Sequence, residues 1–301
     1  MSVRPIKRIS APHPVIEGAG VHLQRAFGFG NTSDFDPFLL FDDFRNDRPE
    51  EYVAGFPWHP HRGIETITYV LAGTVDHADS LGNAGSLTSG DVQWMTAGSG
   101  IIHQEMPHGD SQGRMHGFQL WANLPSSLKM TTPRYQDVPS ADIPEIIDDD
   151  ETKVRVICGS FRGITGPVDG IAADPQYLDI WVPPLTGKSL PVETTRNTFA
   201  YVFAGSGTFR NASEPQPVKT DSIGRTPGGA SDAVANRSLV VFDTGDEIVV
   251  DAGELGIRFL LVSGEPIKEP IAWQGPIVMN TQAELQQAFA EYRDGNFLKH
   301  E

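Results

Sequence analysis

The sequence predicts an all-β protein of two tandem antiparallel β-barrel or jelly-roll domains, followed by a short C-terminal helix. Three observations predict it. Turn signals such as Ala72-Gly73, Gly82-Asn83, Gly90-Asp91 and Gly98-Ser99-Gly100 recur about every eight to twelve residues, the rhythm of sandwiches and barrels. The runs between them, ETITYVL, DVQWM and FQLWANL, are rich in β-branched and aromatic residues that suit a pleated, half-buried surface. A weak internal repeat completes the case. Thr68-Tyr69-Val70-Leu71-Ala72-Gly73 is echoed by Ala200-Tyr201-Val202-Phe203-Ala204-Gly205, and Gly90-Asp91 before VQWM by Gly245-Asp246 before EIVV.

Taken in order, the chain opens with Arg4, Lys7 and Arg8 beside Pro5, which read as a solvated strand edge. The join between copies falls in VPSADIPEIIDDDETK, where prolines and acid break periodicity, giving domains over residues 1–140 and 141–301. The run Asp148 to Glu151 reads as a solvated loop. Cys158, in the alternating run KVRVICGSF, reads as a buried, inert thiol. The stretch Asn211 to Arg237, rich in Pro, Gly, Ser and Asn, reads as a long flexible insertion in the second copy. Thr281-Gln282-Ala283-Glu284 is a capping-box pattern, followed at helical spacing by Leu285, Ala288, Phe289 and Tyr292, with Gly295 as the stop.

Composition excludes several function classes. The 301 residues carry a formal charge of −16, and so acidic a surface repels phosphate backbones, which argues against direct nucleic-acid binding. No apolar run approaches the ~18–20 residues of a membrane span, and the N-terminus has no apolar signal core. Cys158 is the only cysteine, so no intrachain disulfide can form. A reducing cytoplasmic setting, or a nuclear one in a eukaryote, and a monomeric state are expected.

Two doublets carry the chemistry: His59-Pro60-His61 in FPWHPHRGIET and His103-Gln104-Glu105 in GSGIIHQEMP. Side chains at i and i+2 on a strand share a face, about 7 Å apart. Two antiparallel strands with such pairs can bring three imidazoles and a carboxylate to one point. That donor set suits one borderline divalent metal per chain, such as iron, manganese, nickel or zinc, with cobalt or copper also admissible. Glu65 competes for the carboxylate position, since it keeps strand parity with His61. Gly63, however, invites a bulge that would turn Glu65 away, so Glu105 is preferred. The second half contains no histidine before His300 and is expected to hold no metal.

Phe56, Trp58, Trp94, Met95, Met106 and Trp121 lie near the doublets in sequence or expected pairing, suggesting an aromatic-walled pocket for a flat aromatic ligand. Trp58 and Met106 have the parity opposite to their neighbouring ligands, which leaves Trp94 and Trp121 as the better wall candidates. In FQLWANL, Gln119, Trp121 and Asn123 share one face.

FPWHPHRGIETITYVLAG, DSLGNAGSLTSGDVQWMTAGSGIIHQEMP, FQLWANLP, DPFLLFDDF and GEPIKEPIAWQGPIVMNT resemble the pirin family of the cupin superfamily over nearly the whole chain. The resemblance implies a bicupin whose N-terminal barrel holds iron(II) on His59, His61, His103 and Glu105. It also implies quercetin 2,3-dioxygenase activity, in which O2 opens a flavonol ring with release of CO and Glu105 acts as general base. The alternative it implies is a redox-sensitive regulatory protein acting on a protein partner.

Overall fold

A computed structural model describes residues 2–30, 32–212 and 233–300. Its strand ladders are antiparallel, as the turn rhythm predicts, and they form two compact units. One unit comprises Pro12–Pro144, Ile157–Pro175 and Gly264–Glu301; the other comprises Met1–Ala11, Glu145–Val156 and Gln176–Ser263. These are not the contiguous halves 1–140 and 141–301. The difference comes from pairing at both ends of the chain. Strand Ile6–Ser10 is taken up by Ser238–Phe242, whereas the segment after Gly264 belongs with the histidine-bearing unit.

In the histidine-bearing unit, a seven-stranded sheet runs in the order Arg134–Val138, Val92–Thr96, Ile64–Ala72, His116–Asn123, Phe38–Asp43, Val21–Phe27, His13–Glu17. A four-stranded sheet runs Phe56–His61, Ile101–His108, Thr74–Asp79, Ala84–Leu87. Alternation gives each strand an inner face, and Val21 and Val70 from the larger sheet share one apolar cluster with Val75 and Leu87 from the smaller. The terminal helix Gln282–Arg293 starts on the expected capping box, with Thr281 and Glu284 bonding reciprocally. It buries Leu285 and Ala288 against Ile277, Met279 and Phe297.

The other unit is built on one nine-stranded sheet. Its long strand Glu247–Gly264 pairs with Gly187–Pro191 through its first third and with Gln176–Val182 through its last. The internal echo is structural: Gly73 and Gly205 both take positive φ, +85° and +68°, although Gly73 follows strand Ile64–Ala72 and Gly205 lies within strand Asn197–Phe209. Two expectations are corrected here. Arg4 is not a solvated edge; it is 1% exposed and donates to the carbonyls of Glu193, Arg196, Asp243 and Gly245. The run Asp148 to Glu151 is not fully solvated, because Lys188, itself buried, is held between Asp148 and Asp150. In both cases a buried cation must find oxygen acceptors, and nearby chain supplies them. Cys158 is buried as expected. Of the insertion at Asn211 to Arg237, residues 213–232 lie outside the described residues. Among those described, no helix is long and apolar enough to cross a membrane.

Candidate metal centre

The two doublets sit on adjacent strands of the smaller sheet. Register places His103 opposite His59 and Ile101 opposite His61, with an irregularity before Glu105, which stands opposite Phe56. Facing i, i+2 positions on neighbouring strands converge as expected. The Nε2 atoms of His59 and His61 are 3.0 Å apart, as are those of His59 and His103. One ligand atom from each of the three rings lies within 4.8 Å of the others.

Proton placement shows that these residues fit a cation. His59 Nδ1 faces the Pro57 carbonyl at 2.9 Å and His61 Nδ1 faces that of Pro276 at 3.2 Å. A carbonyl only accepts, so each Nδ1 carries the hydrogen and each neutral ring turns a bare Nε2 lone pair toward its neighbours. Two bare nitrogens 3.0 Å apart cannot hydrogen-bond to each other. Protonation would relieve the contact, but burial lowers the His59 pKa and holds His61 and His103 well below the usual imidazole range. A divalent ion satisfies the His59 and His61 lone pairs at once, with His103 able to offer its own Nε2, and neutral imidazole is the form a metal takes.

Glu105 is not part of the close-packed trio. Its carboxylate lines the same pocket, where Oε1 accepts from Thr68 Oγ1 at 3.1 Å. Burial pushes its pKa up to about 7, against the lowering effect of Thr68. The pocket holds about 430 Å³ and is lined by His59, His61 and Glu105 together with Phe56, Leu40 and Trp121. Trp121 meets His61 edge-on, ring centres 5.1 Å apart. Gln119 shares this wall, as the alternation of FQLWANL allows.

Glu65 lies elsewhere, and the cause is a corner rather than a bulge. Gly63, at φ +75°, separates two strands of different sheets, and a Cβ there would stand 2.0 Å from Val278 O. The larger sheet then turns Glu65 to the face opposite Thr68, where Oε1 accepts from Thr96 at 2.7 Å. Neither Glu65 Oε2 nor Trp94 Nε1 closes a well-formed bond. Burial raises Glu65 to about 7, against the pull of Thr96 and Trp94. Trp94 is therefore corrected as a wall candidate: it is fully buried, opposite Ile67, on the face away from the pocket. Trp58 is exposed, as its parity predicts.

Sequence reasoning missed the groups that orient the trio. The Pro276 carbonyl comes from a hairpin 215 residues after His61, with no local signal. Arg62, next to that ligand, donates to Glu291 Oε2 at 2.7 Å and to Phe297 O at 2.6 Å, so the C-terminal segment braces the ligand strand. His77 belongs to no doublet in the sequence, yet register places it opposite Glu105 and two pairs from His103. Its ring nitrogens, His103 Nδ1 and the Tyr135 hydroxyl are all buried without a hydrogen bond. Asp137 stands 3.8 Å from His77 Nε2. The signal available was the odd parity that His77 and Asp79 share with His103 and Glu105.

Residues 20–122 match the family model described as Pirin, and residues 177–298 the one described as Pirin C-terminal cupin domain. The chain is 42% identical to a pirin-like protein of Caulobacter vibrioides, over 99% of this chain and 100% of that one. It is 38% identical to human pirin over 92% and 88% of the two chains. A crystal structure of quercetin 2,3-dioxygenase from Acinetobacter baumannii superposes with a TM-score of 0.83 at 29% identity, covering 98% of this chain and 99% of that one. With two cupin domains and a three-histidine cluster in the N-terminal one, this chain belongs to the pirin family.

Proposed function

We propose that the protein is a metal-dependent dioxygenase of the quercetin 2,3-dioxygenase type, opening a flavonol ring with O2 and releasing CO. The observation that carries this reading is a buried carboxyl, bonded to Thr68, that lines an apolar pocket beside a cluster of three histidines, two of which line the same pocket. Likeness to the Acinetobacter enzyme supports it. His59, His61 and His103 would hold the metal, with Glu105 in or beside its coordination sphere. Iron(II) is the metal proposed. Bound there, it would supply Lewis acidity and one-electron chemistry toward O2.

The chain's own residues supply the rest. Glu105, poised near neutral pH, takes the proton of the flavonol 3-hydroxyl, and Thr68 steadies the carboxylate by donating to it. Trp121, Phe56 and Leu40 give the flat ligand an apolar slot that limits water. The test is oxygen uptake with quercetin by anaerobically iron-loaded protein. Turnover is expected, and Glu105→Gln should lower it by about 10²–10⁴-fold while changing metal content far less. No quercetin-dependent uptake would overturn the reading.

A second reading is a regulatory pirin that binds a protein partner and responds to the redox state of its iron. Similarity to human pirin favours it, and a chain of charge −16 would seek a basic patch. Affinity for a partner that changes with iron oxidation, without turnover, would select this reading.

A further inference from the structure

The pocket wall is mostly apolar, but one polar line crosses it. Arg25 pairs in register with Asp42, Asp42 with Gln119 and Gln119 with Thr68, so four adjacent strands carry these side chains side by side. All four line the pocket. Each Arg25 nitrogen meets a carboxylate: Nε and Nη2 donate to the two Asp42 oxygens at 2.8 and 2.7 Å, and Nη1 meets Glu17 at 2.9 Å. Each Asp42 oxygen takes one of those bonds and retains a free lone pair. Gln119 Oε1 lies 2.8 Å from the Thr68 hydroxyl, while its amide N–H group has no partner among the described residues.

Free acceptors on Asp42 and free donors on Gln119 therefore stand on neighbouring strands, about 5 Å apart. Asp42 is two strands from Thr68, about 10 Å across the sheet, and Thr68 touches Glu105. A hydroxyl group both donates and accepts, so it can satisfy both residues. A carboxylate cannot, since Asp42 and Glu17 would repel it.

We propose that Asp42 and Gln119 form a hydroxyl-reading subsite, remote from the reacting end of the ligand, that selects ring-hydroxylated flavonols over the bare flavonol skeleton. This deepens the flavonol reading above and rests on it. Desolvation alone would favour the bare, more apolar compound, so the opposite preference must come from polar contacts.

The test is anaerobic equilibrium binding to metal-loaded protein, read by quenching of tryptophan fluorescence, with quercetin and 3-hydroxyflavone as ligands. Wild type should bind quercetin about 10-fold tighter or more, the effect of one or two additional hydrogen bonds. Gln119→Leu should weaken quercetin about 5–10-fold more than it weakens 3-hydroxyflavone. Gln119→Glu, which exchanges donors for acceptors at constant size, should give the same pattern and stands in should the leucine variant misfold. Equal affinity of wild type for both ligands, or a quercetin preference that survives both variants, overturns the subsite alone. Failure of wild type to bind either ligand overturns the flavonol reading and the subsite with it.

Discussion

Thr68 Oγ1 lies 3.1 Å from Glu105 Oε1 and 2.8 Å from Gln119 Oε1, and one hydroxyl hydrogen cannot serve both acceptors. An ionised Glu105 draws the hydrogen, because charge-assisted bonds are the stronger. A protonated Glu105 releases it to the amide. Thr68→Val keeps the shape and removes the donor, so the Glu105 pKa should rise further above about 7. A base works when ionised, and the acid limb of the kcat/KM profile should therefore move to higher pH. A pH–rate profile checks this; an unmoved limb would detach Thr68 from the base.

Metal content should approach one ion per chain. Three converging imidazoles occur in one cluster among the described residues, and the unit that includes Gln176–Ser263 has no histidine in its sequence. His103→Ala removes one of three strong donors, and elemental analysis should find most of the metal gone. Full retention would refute the assignment.

His77 should matter for metal affinity although it is not one of the trio. His103 Nδ1 has no carbonyl to fix its hydrogen, unlike His59 and His61, and His77 and Tyr135 present the nearby unpartnered polar atoms. Outer partners of ligating histidines are typically worth about 10–100-fold in affinity. Competitive chelation should show a loss of that order for His77→Phe and partial rescue in His77→Gln. Equal affinities for both variants and wild type would leave His77 a packing residue.

The contribution of Glu65 to stability should fall as pH rises through weakly acidic values. Glu65 is raised from 4.5 to about 7 on folding, so the folded state holds its proton more tightly than the unfolded. The stabilisation is complete below about 4.5 and is lost as pH climbs through 7, up to about 3 kcal/mol. Asp42, raised to about 6 by burial, acts in the same direction. Urea unfolding across pH 4.5–7.5 should show this decline in the difference between wild type and Glu65→Gln, where the opposite contribution of the buried histidines cancels. Flavonol turnover in that variant should hardly change, because Glu65 faces away from the pocket.

The sequence by itself determined the strand rhythm, the tandem repeat, the capped final helix and the three histidines, because each rests on local periodicity. Strand parity alone makes His59 and His61 share a face, and it sends Trp58 outward wherever the strand is placed. Tertiary structure decided everything that depends on which strands meet. Glu105 rather than Glu65 lines the pocket because the corner at Gly63 moves the chain from one sheet to another. Trp94 left the pocket wall because its strand pairs it with Ile67, on the face away from the pocket, while Trp121 stayed. The buried role of Arg4, the brace of Arg62 on Phe297 and the Pro276 carbonyl that fixes the His61 tautomer join residues roughly 190–240 positions apart. Contacts at such separation leave no local pattern, since what selects them is the need of a buried polar group for a partner.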